Sequence, residues 1–164
     1  MVHSCETMDL QRGKRVSYLK QLDDSAWPVV YARFQGEATI EGFDEYARWV
    51  EQLAVRAAKT KELFVNVTDT RGKMQVAPDV RRHMSDWLSR VDLAPTTLGS
   101  IVIVDSVVIR GVMTAMSWVS RAQMASVSSV ATPDDAWRVS LELIQAAGAK
   151  VPVRPLWSLG KAGT

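Results

Sequence analysis

The spacing of hydrophobic residues along the chain predicts an alternation of strands and helices. Short runs rich in β-branched and aromatic residues predict five strands. These strands are Val16–Leu22, Pro28–Gln35, Leu63–Val67, Leu98–Val104 and Met124–Ala131. Apolar residues at helical spacing predict four helices in the intervals and after the last strand. The predicted helices begin near Thr39, Pro78, Ser106 and Pro133.

Two of the helix starts carry capping sequences. Thr39 precedes a stretch with acidic residues in its first turns and basic residues near its end, an order that complements the helix dipole. Thr132, Pro133 and Asp135 form the pattern of a capping box with proline at the first helical position. For the helix that begins at Pro78, the predicted apolar face consists of Val80, Met84, Trp87, Leu88 and Val91.

The order of these elements predicts an α/β fold. Two strands precede the first helix and are close enough in sequence to form an antiparallel hairpin. Strands and helices then alternate, which favours parallel strands joined by right-handed crossovers. We therefore expect a mixed sheet of about five strands packed with about four helices, with Leu98–Val104 as a central strand. Residues 1–14 are expected to form a flexible leader, 15–148 a single domain and 149–164 a C-terminal tail.

The composition argues against several classes of function. The 164 residues carry a formal net charge of +2, too small to indicate a nucleic-acid-binding protein. A single cysteine rules out an internal disulfide and a multi-cysteine metal site, and no metal or cofactor is expected. The most apolar run, 101–119, is interrupted by Asp105 and Arg110, so it does not resemble a membrane span. Because the N-terminus lacks the apolar core of a secretory signal, we expect a cytoplasmic protein.

The sequence offers no residue pair suited to nucleophilic catalysis. Such catalysis needs a serine, cysteine or threonine within reach of a base, which is usually histidine. His83 lies on the second predicted helix beside Arg82 and is expected to be solvated or partly packed. The Gly-x-Ser-x-Gly sequence of a nucleophile elbow is absent. We therefore predict a protein without enzymatic activity.

The third predicted helix is apolar around nearly its whole circumference. One face of a sheet would cover only part of that surface. Met113 and Trp118 lie on this helix, together with Arg110. Three interpretations fit: the helix is sandwiched in the core, it is half covered by another protein or a second copy of the chain, or it forms the wall of a cavity for an apolar ligand.

Three segments, Gly36–Thr39, Phe64–Gly72 and Gly99–Val104, carry a resemblance to a known family. Through them, and through the order of elements over Val16–Gly148, the chain resembles the STAS domains of bacterial anti-sigma-factor antagonists. It also resembles the smaller STAS-like bacterial proteins related to CRAL-TRIO lipid-binding domains. The resemblance implies an α/β domain that acts in signalling by binding other proteins.

The resemblance further points to the loop after the third strand. In the family, Asp-Ser-Ser-Gly at this place is a switch in which one serine is phosphorylated by a partner kinase. Those four positions are occupied here by Asp69, Thr70, Arg71 and Gly72. Arginine thus replaces the second serine, which is the acceptor in many members of the family. Thr70 is left as the acceptor, and Lys73 and Arg81 are close enough in sequence to meet a phosphate.

We therefore expect a non-enzymatic regulatory protein that binds another protein, such as a kinase, through this loop and the adjacent helices. The loop is expected to be exposed, so that substitutions in it change binding more than stability. The alternative is a carrier or sensor of an apolar ligand or lipid, held in a cavity between the sheet and the helices.

Overall fold

The computed structural model describes residues 19–71, 75–105 and 127–159, and these build a five-stranded mixed sheet with helices on both faces. The elements in chain order are β1 (Leu19–Asp23), β2 (Val29–Phe34), α1 (Ile40–Thr60), β3 (Phe64–Asp69), α2 (Pro78–Arg90), β4 (Thr97–Ile103), β5 (Val127–Val130), α3 (Pro133–Ala146) and a short 3-10 helix (Leu156–Leu159). The predicted α/β class and strand number are confirmed.

The strands lie in the sheet in the order in which they occur in the chain, from β1 to β5. β1 pairs with β2 antiparallel, as the predicted hairpin requires, and β2, β3, β4 and β5 are parallel to one another. β3 is the middle strand, and β4 lies inside the sheet between β3 and β5. Ile101 and Ile103 of β4 are fully buried, as the predicted apolar strand requires.

Local capping explains where two of the helices begin. The Thr39 hydroxyl accepts a hydrogen bond from the Gly42 backbone N–H at 3.1 Å, which starts α1. The Thr132 hydroxyl accepts one from the Asp135 backbone N–H at 3.1 Å, with Pro133 at the first position of α3. Both capping predictions are confirmed.

Alternate side chains of the strands build two separate cores. On one face, Val30 and Phe64 pack against α1, and Ala32 and Phe34 lie in a cluster with Val80 of α2. On the other face, the odd-numbered side chains of the same strands pack with α3. These are Val29, Tyr31, Val65, Val67, Ile101 and Ile103.

The apolar face of α2 is narrower than predicted. Val80 and Trp87 are buried, and Met84 packs beside them. Leu88 was predicted to share this face, but its side chain is 61% exposed. The prediction is wrong at this position because Leu88 lies about 100° around the helix from Trp87.

The segment after α3 packs on the α3 face of the sheet. The Trp157 ring stacks on that of Tyr31 with centroids 4.5 Å apart, and its edge meets Trp137 at 6.1 Å. Ser158 is fully buried, and Arg154 pairs with Asp134 at the start of α3. The segment predicted as a tail, 149–164, therefore packs against the domain through Pro155, Trp157 and Ser158.

Several predicted features lie outside the described residues. They are the leader 1–14, the helix that begins at Ser106 with Arg110, Met113 and Trp118, and the loop residues Gly72 and Lys73. The described parts of the chain contain three α-helices, against the four expected. Within those parts, no helix combines the length and the apolar character needed to cross a membrane.

Candidate functional site

Asp69 is the last residue of β3 and lies where the parallel strands end, an edge of the sheet that we call the carboxyl edge. Thr68 and Asp69 were predicted to begin the loop, whereas β3 continues through both. The Asp69 side chain is fully buried. The prediction of an exposed loop is therefore wrong for Asp69, and its carboxyl group requires partners inside the protein.

Four hydrogen bonds satisfy the Asp69 carboxylate. The Tyr31 hydroxyl donates to Oδ2 at 2.8 Å. Arg71 donates from Nε to Oδ1 at 2.9 Å and from Nη2 to Oδ2 at 2.7 Å, and its backbone N–H reaches Oδ1 at 3.1 Å. The Arg71 guanidinium thus binds both carboxylate oxygens, the geometry in which an arginine–carboxylate pair is strongest. The contact fixes the first residues of the loop to the end of β3.

The protonation states of this group follow from its contacts. Burial alone would raise the pKa of Asp69, but the hydrogen bonds from Arg71 and Tyr31 outweigh it and hold the pKa below its usual value. Burial, and then the nearby Asp69 charge, raise the pKa of Tyr31 far above that of a free tyrosine. The hydrogen bond to Asp69 raises the pKa of Arg71. At neutral pH the group therefore holds a carboxylate, a guanidinium and a neutral phenol.

Arg33 adds a second guanidinium beside this group. It pairs in register with Asp69 across β2 and β3, and it shares the sheet face of Tyr31, two residues earlier in the strand. Its side chain makes no hydrogen bond or ion pair with the described residues, and its Nε atom is buried without a partner. The positive charge of Arg33 lowers the pKa of the Tyr31 hydroxyl, although burial raises that pKa by more.

We call Tyr31, Arg33, Asp69 and Arg71 the Asp69 cluster. It contains two guanidinium groups and one carboxylate, so it carries excess positive charge at the carboxyl edge. The Nε atom of Arg33 is buried without a partner among the described residues, and an anionic ligand at this guanidinium would supply an acceptor and compensate its charge. The arrangement is suited to binding an anionic group such as a carboxylate or a phosphate.

Thr70, the predicted phosphate acceptor, is held against β4. Its hydroxyl donates to the Ile103 carbonyl oxygen at 3.0 Å, and its backbone N–H donates to the same oxygen at 3.0 Å. The side chain is half-buried. A phosphate on Thr70 would have to displace this hydroxyl contact.

The far end of the same loop is tied to the loop after β2. The Ala38 N–H donates to the Gln75 carbonyl at 2.8 Å, and the Gln75 N–H donates to the Gly36 carbonyl at 3.0 Å. Gly36 has a φ of +87°, a conformation that glycine adopts without strain. Backbone contacts thus hold the described ends of the loop at the carboxyl edge.

The structure brings together only some of the residues predicted for the site. Asp69 and Arg71 are in direct contact, whereas Arg81 is exposed on α2 and contacts neither of them among the described residues. Gly72 and Lys73 lie outside those residues. Sequence reasoning missed Tyr31 and Arg33. Their spacing of two within a strand placed them on one face, but only the register with β3 places that face beside Asp69.

The one described histidine joins α1 to α2. His83 Nε2 lies 2.6 Å from Asp44 Oδ1, and its ring meets the Phe43 ring edge-on at 5.9 Å. His83 is thus partly packed, which is one of the two environments expected for it. Among residues 19–71, 75–105 and 127–159, no three His, Cys, Asp or Glu side chains are grouped so that they could hold a metal ion.

Comparison with protein-family models, with curated proteins and with solved structures finds no match to this chain. The resemblance to STAS domains stays a prediction.

Proposed function

We propose that this protein is a non-enzymatic regulatory protein that binds an acidic segment of another protein at the carboxyl edge of its sheet. The observation that carries the proposal is the Arg33 guanidinium, which lies beside the Asp69–Arg71 pair without a carboxylate partner among the described residues. An acidic side chain of the partner would supply the missing negative charge and the hydrogen-bond acceptors.

Two features support a docking role for this edge. The Asp69–Arg71 contact and the Ala38–Gln75 pairing fix the two described ends of the loop before a partner arrives, which lowers the entropy cost of ordering them on binding. Arg81 and Arg82, near the start of α2, are exposed and form no ion pair within the described chain, so they add positive charge on the sheet face opposite to that of Arg33. Electrostatic attraction of this kind speeds the encounter with an acidic partner.

The alternative, an apolar-ligand carrier with a cavity between sheet and helices, is less well supported. Where α1, α2 and α3 meet the sheet, packed apolar clusters occupy the interface. The predicted third helix, which was to form the wall of that cavity, lies outside the described residues.

The proposal is tested by titrating the protein with an oligoglutamate peptide in low-salt buffer and measuring the affinity by calorimetry. Arg33→Gln is compared with Arg48→Gln, which removes the same charge from the exposed surface of α1. We expect Arg33→Gln to weaken binding about tenfold and Arg48→Gln to have little effect. Equal affinities for the two variants would mean that the peptide responds only to net charge, and the proposal would be wrong.

A further inference from the structure

A groove of about 580 Å³ opens at the opposite edge of the sheet, where the parallel strands begin and which we call the amino edge. It lies between the starts of β2, β3 and β4 on one side and the segment that follows α3 on the other. The apolar part of its wall includes Trp27, Pro28, Leu63, Leu98, Val151 and Pro152. The six residues of β3 separate this groove from Asp69 by about 17 Å, so the two sites do not overlap.

Two lysines border the apolar wall. Lys61 follows the last turn of α1, and Lys150 precedes Val151 in the segment after α3. Both side chains are exposed, and neither ammonium group has an ion-pair partner in the part of the chain that the structure describes. The groove therefore combines an apolar wall with unneutralised positive charge at its rim.

The nearest carboxylates are already bound to other groups. Glu62 accepts a hydrogen bond from the Trp27 indole N–H at 2.7 Å. Asp24 pairs with Arg56 at 3.2 Å, and the Arg56 guanidinium lies 4.0 Å from the centre of the Trp27 ring. These contacts hold the Trp27 side chain at the groove, and Arg56 neutralises Asp24. Glu62 lines the groove and keeps its negative charge, because the indole is neutral, but Lys61 and Lys150 outnumber it. A bound anion would thus still meet a net positive charge.

We propose that this groove binds a small amphipathic carboxylate, a molecule with an apolar body and a single negatively charged end. The volume lies within the range of about 300–1,000 Å³ that is usual for small-molecule sites. Leu63 and Val151 are 41% and 45% exposed, and an apolar body in the groove would cover them. The carboxylate would lie between Lys61 and Lys150, where both ammonium groups attract it.

The test uses octanoate as the probe and backbone amide chemical shifts of the full chain as the readout. We expect saturable shifts around Trp27, Leu63 and Ala149, and an affinity at least fivefold lower for 1-octanol, which has the same chain length without the charge. Removing both charges by Lys61→Asn with Lys150→Gln should weaken octanoate binding about fivefold, because exposed ion pairs contribute modestly. Asparagine is chosen because Lys61 has a φ of 57°, which asparagine tolerates.

The control is Arg48→Gln with Lys59→Gln, which removes two exposed charges from α1 at positions outside the groove wall. This control should bind octanoate as the wild type does.

A second variant, Ala149→Trp, fills the groove with a side chain from an exposed position and should abolish the shifts around Trp27. The proposal is overturned if octanoate causes no saturable shifts, if they appear elsewhere, or if octanol binds equally well. Because the carboxyl edge takes no part, none of these results affects the proposed docking function.

Discussion

The hydroxyl of Tyr31 lies 2.8 Å from the carboxylate of Asp69, and the two residues are 38 positions apart in the chain. The contact joins β2 to β3 on the α3 side of the sheet. The Trp157 ring stacks on the Tyr31 ring that makes this contact. A buried hydrogen bond, an ion pair and an aromatic stack thus share the residues Tyr31 and Asp69.

Substitution of Asp69 should destabilise the fold strongly. In Asp69→Ala the Tyr31 hydroxyl loses its acceptor in the interior and Arg71 loses both of its side-chain contacts. Removing one partner of a buried ion pair costs about 3–5 kcal/mol, and partial exposure of Arg71 places the expected loss near the lower end. The free energy of unfolding is measured by urea denaturation. Asp86→Ala, an exposed position on α2, should change it by less than about 0.5 kcal/mol.

The stability of the protein should also depend on this carboxylate at acid pH. The pKa of Asp69 is lower in the folded state than in the unfolded chain. Its contribution to stability is therefore complete above the unfolded pKa, about 3.9, and is lost as the pH falls through the folded value. The unfolding free energy of the wild type should fall more steeply below about pH 4 than that of Asp69→Asn. Parallel curves for the two proteins in acid would contradict the assignment.

The packing of the C-terminal segment gives a third prediction. Trp157→Ala removes the stack on Tyr31 and the edge contact with Trp137. Because the indole is only half-buried, we expect a loss of about 2–3 kcal/mol, below the cost of removing a fully buried tryptophan. Leu156→Ala is the matched control, since this neighbouring side chain is 86% exposed and should be replaced at almost no cost. If the two variants unfold at the same urea concentration, the segment does not contribute to the fold.

The elements that sequence reasoning predicted well are those determined by local spacing. The caps at Thr39 and Thr132 need only a polar side chain and the first turn of a helix, and both are found where predicted. The antiparallel hairpin and the run of parallel strands likewise follow from the order of elements. Such features depend on residues within a few positions of each other or on general rules of connection.

The site was harder to predict because it depends on contacts between distant residues. The apolar run ends at Val67 and polar residues follow it, and this pattern predicts that Asp69 lies in the loop. It is in fact the buried end of β3, because Tyr31 from another strand and Arg71 from the loop satisfy its charge. The same limit applies to Leu88, whose exposure is set by the packing of α2 against α1 and the sheet.

The last prediction concerns Arg33, the residue on which the proposed function depends. Its Nε atom is buried without a partner among the described residues, so replacing the side chain with an unbranched apolar one removes a desolvation cost. We expect Arg33→Met to leave the free energy of unfolding unchanged or to raise it by up to about 1 kcal/mol. Arg71→Met should lower the free energy of unfolding, because the buried Asp69 carboxylate would lose its charged partner.

Urea denaturation compares the stabilities of the two variants, and the oligoglutamate titration then measures the affinity of Arg33→Met. If Arg33→Met gains stability while it loses affinity for the acidic peptide, Arg33 is a binding residue whose presence lowers the stability of the fold. If Arg33→Met is instead destabilised as much as Arg71→Met, Arg33 has a structural role and the docking proposal loses its main support.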